Sequence, residues 1–196
     1  MNIARVCGTA ALVALSTACS RTPSEPERQP TPPAQVVTTP SLKWDAPATW
    51  TSAEADKSGP RKASWKVPKT GNDKEEAVVE IFYFGSGTRG DAKPMLDEWL
   101  GLFDGDAAEK ATWGKLEVHG FPVETVEASG RYKVPVGPPI GPKKKTPMQI
   151  VKESWRIVAA VVETPDRGNW FFKLSGPDDT VQSAKSAFRT LVESAR

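Results

Sequence analysis

The chain has 196 residues, 38% hydrophobic and 26% charged, which fits one soluble domain of ordinary size with chain to spare. A formal net charge of +2 sets nucleic acid aside as a partner, because neutralising phosphates calls for a domain-scale basic excess. The two cysteines, Cys7 and Cys19, both stand near the start, so the remaining chain has neither a disulfide nor a thiol nucleophile. A domain of about 155 residues buries enough apolar surface to need no such staple, and its lack is no obstacle to export.

Met1–Arg5 supplies a short positive end, and Val6–Leu15 follows as an uncharged apolar run. Small residues Ser16, Thr17 and Ala18 then lead to Cys19. This is the tripartite order of a secretory signal over residues 1–18, and its apolar run is too short to span about 30 Å of hydrocarbon. A cysteine directly after small residues resembles the acceptor site of bacterial lipoprotein signals. The resemblance implies cleavage after Ala18, acylation of Cys19 with palmitate-type chains, and a membrane anchor. The sequence departs from that pattern at Ser16, where the family prefers leucine. Ser20 stands where an aspartate would favour inner-membrane retention, so the same resemblance implies the outer membrane, facing the periplasm. The plainer alternative is a secreted protein with a free Cys19, which leaves a lone reactive thiol.

Residues 19–41 form the next segment. Pro23, Pro26, Pro30, Pro32, Pro33 and Pro40 alternate with polar residues, and only Val36 and Val37 are sizeable and apolar. Such a composition cannot offset ordering entropy and predicts a disordered, extended spacer rising about 3 Å per residue.

From Leu42 to Arg196 apolar periodicity predicts one globular domain. Trp44–Trp50 (WDAPATW) reads as a bent entry strand interrupted by Pro47, and Ala63–Val67 as a short strand. Ala77–Phe84 is apolar on both faces, with Val79, Ile81 and Tyr83 on one and Phe82 and Phe84 on the other, so it belongs inside a covered sheet. Asp91–Phe103 switches to helical spacing: Asp91 caps, Pro94 sits in the first turn, and Met95, Leu96, Trp99, Leu102 and Phe103 make one stripe. Lys115–His119 and Val123–Tyr132 return to alternation, joined through Gly120-Phe121-Pro122. Pro135–Pro147 reads as an irregular excursion. Two further strands, Ser154–Glu163 and Asn169–Leu174, are linked by Pro165–Gly168. The chain closes with a helix: Pro177 suits its first position, Asp178 and Asp179 suit the positive end of its dipole, and Val181, Ala184, Phe188, Leu191 and Ala195 recur at helical spacing. This order is not alternating βαβ and predicts an α+β fold, a mainly antiparallel sheet flanked by helices.

The entry WDAPATW, the strand AVVEIFYF and above all NWFFKLSGPDDTVQSAKSAF resemble the PsbP-like α/β/α sandwich, the fold of an extrinsic photosystem subunit and of a Ran-interacting import factor. The same strand, Gly-Pro turn and helix are similar to the ending of small uncharacterised lipoproteins of Gram-negative bacteria. The resemblance covers Leu42 to Arg196 through packing motifs and implies an accessory or binding role. It carries over no functional residue.

Candidate chemistry is thin. His119, the only histidine, stands at a strand end without a second histidine or cysteine and reads as structural. Asp104-Gly105-Asp106 with Glu109 lacks the further acidic positions of a calcium loop. Gly85–Gly90 lacks the lysine of a P-loop and reads as a connector, and no GxSxG elbow is present. Lys143, Lys144 and Lys145 in the proline-rich excursion are a candidate contact for an anionic surface, against a plain solvated loop tip. Trp113, expected after the first helix, is the tryptophan placed best for a ligand platform. No motif calls for a metal or cofactor. The sequence thus predicts a lipid-anchored envelope protein, not an enzyme, with another envelope protein as its partner. The alternatives are a ligand- or glycan-holding domain and a carboxylate-based envelope hydrolase, which would need two converging acid/base groups.

Overall fold

The computed structural model describes residues 42–53, 59–85, 92–136, 148–164 and 168–196. The leader, Cys19, the proline-rich segment, Asp91 and Lys143–Lys145 lie outside them. The described elements are β1 (Thr51–Ala53), β2 (Arg61–Val67), β3 (Ala77–Tyr83), α1 (Ala92–Leu100), β4 (Thr112–Val118), β5 (Phe121–Val136), β6 (Met148–Thr164), β7 (Gly168–Pro177) and α2 (Asp178–Glu193). The strands form one antiparallel sheet in the order β1-β2-β3-β7-β6-β5-β4. Two meanders, β1 to β3 and β4 to β7, are thus joined edge to edge; the predicted α+β class is found, with Thr51–Ala53 as first strand in place of the predicted Trp44–Trp50.

Each helix covers one face. On the α2 side, Ala77, Val79 and Ile81 of β3 and Phe172 and Leu174 of β7 pack against Val181, Phe188 and Leu191. On the α1 side, Leu96, Trp99 and Leu100 pack against Ile157, Val161 and Phe171, with Phe82 and Phe84 alongside. The alternation read in Ala77–Phe84 therefore divides between two cores, each buried Leu, Ile or Phe contributing about 1.5–3 kcal/mol. The α1 stripe is as expected, with Leu100 added to it and Met95 and Leu102 only partly buried.

Four local readings are corrected. Trp44–Trp50 is not a strand: Pro47 has no N–H for a ladder, and its carbonyl instead accepts from Trp50 N–H at 3.1 Å to close a turn. The segment is held by the chain's end, Lys43 and Arg196 exchanging backbone hydrogen bonds of 2.9 and 3.0 Å. Pro135 is not in an irregular excursion, since β5 runs to Val136 and β6 begins at Met148. Among the described residues the outer part of β6, Met148–Lys152, pairs with β5 alone, while β5 also meets Leu102 and Phe103 there, and Ile150 and Val151 are left exposed. The β4–β5 turn is His119-Gly120, with φ of 50° and 84°, the two-residue loop whose twist suits a hairpin. Finally, Pro177 is the N-cap of α2 and has no side-chain cap to give. Asp73 substitutes for it, its Oδ2 accepting from Thr180 N–H at 2.7 Å and Thr180 Oγ1 at 2.6 Å.

Gly176 closes the junction between the meanders. A Cβ there would lie 2.5 Å from Ala77 Cβ and 2.7 Å from Ala77 Cα, too close without moving backbone. Gly176→Ala is therefore expected to lower unfolding free energy by about 1–3 kcal/mol, read from urea denaturation. A loss under about 0.5 kcal/mol would mean that β3 and β7 are not tightly apposed there.

Candidate functional site

A transverse row of side chains on the α2 face shrinks toward one flank of the sheet. In register, Ile81 stands beside Phe172, Phe172 beside Ala160, Ala160 beside Thr125, and Thr125 beside Gly114. A Cβ on Gly114 would meet Thr125 Oγ1 at 2.7 Å, so glycine is the residue that fits this floor. Because the row narrows where α2 no longer covers it, a groove of about 510 Å³ opens between the helix and β4–β6. Leu116, Val158, Phe188 and Val192 make it apolar, and Lys185 and Arg189 stand on its rim.

The charged groups near this wall are paired. Arg156 reaches Asp178 at 3.0 and 3.2 Å and also bonds Glu127, which accepts from Lys185 at 2.6 Å. On the opposite face, Glu80 lies between Lys173 at 2.9 Å and Arg61 at 3.0 Å. Burial works against ionising Glu80, yet Lys173 and Arg61 more than offset it and hold its carboxyl below the ordinary carboxylate range. The Lys173 ammonium also sits over the rings of Phe82 and Trp99 at 5.3 and 5.2 Å. Tyr132, between Phe103 and Trp155, has its phenol pushed up to about 12 by burial and the Glu80 charge. The carboxylates of Glu80, Glu127 and Asp178 are each paired with an arginine or lysine side chain.

The sequence candidates do not converge. His119 lies in the β4–β5 turn and its Nδ1–H donates to the Ala195 carbonyl at 3.0 Å. Asp104 engages Lys133 and Arg131, and Asp106 engages Lys110 at 2.7 Å. Asp178 binds Arg156 in the first turn of α2. Trp113 lies on β4 rather than in a connector and is 44% exposed, with Lys93 over its ring at 5.4 Å. Trp50, Trp99 and Trp170 are buried as core. Lys143, Lys144, Lys145, Cys19 and Ser86–Gly90 lie outside the described residues. The groove residues were missed because they carry no reactive group, and their alignment depends on strand register, which alternation alone does not reveal. Among the described residues, no helix is long and apolar enough to cross a membrane.

No protein-family model and no curated protein match the chain. Among solved structures it is similar to LpqN of Mycobacterium tuberculosis, described as involved in cell envelope biogenesis, at 14% identity and a TM-score of 0.51, over 79% of this chain and 82% of that one. It is also similar to a protein of unknown function from Pseudomonas aeruginosa at 11% identity and a TM-score of 0.42, over 74% and 94%. A third is cyanobacterial PsbP from Synechocystis, at 16% identity and a TM-score of 0.42, over 86% and 99%. The sheet itself, together with the first of these likenesses, shows an α/β sandwich fold.

The Glu80–Lys173 pair has a testable pH signature. Because the folded carboxyl titrates below its ordinary value of 4.5, its contribution is present above that pH and is lost as pH falls through the folded value. Lys173→Met is expected to cost about 1–3 kcal/mol at pH 7 by leaving the part-buried Glu80 carboxylate to Arg61 alone, and Glu80→Gln with Lys173→Met to recover much of it. Urea midpoints measured from neutral pH down to about pH 3 should fall less steeply in the double variant. An unchanged acid limb would remove Glu80 from the account.

Proposed function

We propose that this chain is an envelope lipoprotein, anchored through acyl groups on Cys19, whose domain from Leu42 onward binds another envelope component without chemistry of its own. The leader supports the anchor: a charged end, a short apolar run and small residues before Cys19. Two or more acyl chains hold a protein stably at a bilayer, and the proline-rich segment would set the domain clear of it. Ser20 after the cysteine supports the outer membrane. LpqN, similar in fold, is described as acting in cell envelope biogenesis, which fits an envelope setting for this chain too.

The observation that carries the binding reading is the groove beside α2. Its volume of about 510 Å³ lies within the usual range of ligand sites, its floor is apolar, and its rim bears two cations. The pairing of Glu80, Glu127 and Asp178 with Arg and Lys side chains favours binding over a carboxylate-based hydrolase. The groove's size equally suits a small apolar or glycan ligand, which is the second reading.

Cys19→Ser is expected to move the protein from the membrane to the soluble fraction of cells. Globomycin should retain residues 1–18 on the wild type, as read by mass spectrometry of the N-terminus. A membrane-bound Cys19→Ser protein would sink the anchor. Ser186→Trp, from an exposed position of α2, should fill the groove and weaken in-cell crosslinking to the bound component by about tenfold, while unfolding free energy stays within about 0.5 kcal/mol. Unchanged crosslinking would put the binding surface elsewhere.

A further inference from the structure

Strand β4 ends the sheet, and among the described residues no strand pairs with its outer side. The two-residue turn fixes which of its groups face outward. Val118 and Phe121 flank that turn as a hydrogen-bonded pair, so Leu116, Gly114 and Thr112 also bond inward to β5. Trp113, Lys115 and Glu117 therefore turn their N–H and C=O groups outward. Pro122, with no N–H, stands opposite Glu117, a position this phase leaves unbonded. An open edge of seven residues invites strand addition, and an exposed Trp113 does little to discourage it.

The charges on this edge are self-complementary in one register. In an antiparallel pair of β4 strands, outward-bonding residues must meet outward-bonding residues. A twofold axis at Lys115 opposes two ammonium groups, and one at Glu117 opposes two carboxylates. An axis at Leu116 instead sets Lys115 opposite Glu117 of the second copy, twice, in hydrogen-bonded positions. It also brings the two half-buried Leu116 side chains together where cross-strand contacts are closest. Lys115 bonds Glu124 at 3.0 Å within its own chain, and Glu117 has no ion-pair partner among the described residues. The second copy would supply one. We propose that β4 pairs antiparallel with β4 of a second copy about Leu116, making one continuous sheet across a homodimer. Lipid tethering in a shared bilayer would raise the effective concentration for this pairing.

Analytical ultracentrifugation of the full-length chain in excess detergent tests the pairing. The wild type should dimerise, and Lys115→Glu and Glu117→Lys should each raise the dissociation constant by at least about tenfold. The double charge swap should return it to within about threefold of wild type. Glu117→Lys leaves the Lys115–Glu124 pair intact, and far-UV circular dichroism confirms that every variant is folded. A wild type that stays monomeric to about 100 µM overturns the proposal. So do single variants that associate like the wild type, and so does a folded double variant that stays monomeric.

Discussion

The β3–β7 junction is the constraint on which the rest of the structure depends. Among the described residues it is the strand pairing that joins the two meanders, and strand β7 is buried on both sides of it. Phe172 and Leu174 serve the α2 core while Phe171 serves the α1 core. A slip of one residue would exchange these faces and drive Lys173 into the apolar layer beneath α2. Glu80 stands directly opposite Lys173 in the register and holds it on its proper side, so the ion pair selects one alignment among those that burial alone would tolerate. Gly176 and Ala77 then let the strands close tightly beside the start of α2.

From this junction follows the asymmetry that makes a site. A helix of 16 residues is about 24 Å long and about 10 Å wide, enough to cover roughly two strands of a sheet whose strands lie about 4.8 Å apart. Because α2 leaves directly from β7 it runs over β7 and β6, and away from the buried Val118 and Val123 the α2 face of β5 and β4 is left to its own side chains. Small residues in line on β6, β5 and β4, Ala160, Thr125 and Gly114, leave a depression instead of a filled layer. A glycine in a strand weakens it, so Gly114 trades local stability for a shaped surface.

Much of the architecture was legible because it is written in periodicity. Val79 and Ile81 against Phe82 and Phe84, and Val181, Ala184, Phe188 and Leu191, announce a two-faced strand and a one-faced helix wherever they occur. What escaped was set by partners distant in sequence. WDAPATW looks strand-like until Lys43 pairs with Arg196. Pro135 looks like a breaker, yet β5 continues past it, paired with Gln149. Asp73 caps a helix more than a hundred residues away, which no local signal discloses. The groove was the hardest to read, being made of what three strands lack when they align.

The groove's wall is fixed at both ends. At its start, Asp73 binds Thr180 and Arg156 binds Asp178, so α2 is tied to a loop and to β6 at once. At its end, Ser194 Oγ accepts from Asp45 N–H at 2.8 Å, His119 bonds the Ala195 carbonyl, and Lys43 and Arg196 close the last backbone pair. Neither anchor uses a residue of the groove floor. A wall held this way needs little ordering when something binds beside it, and ordering is a large part of what association costs. The groove is thus bounded by a helix fixed at both ends, and Glu127 and Asp178 beside it are held in ion pairs with Lys185 and Arg156.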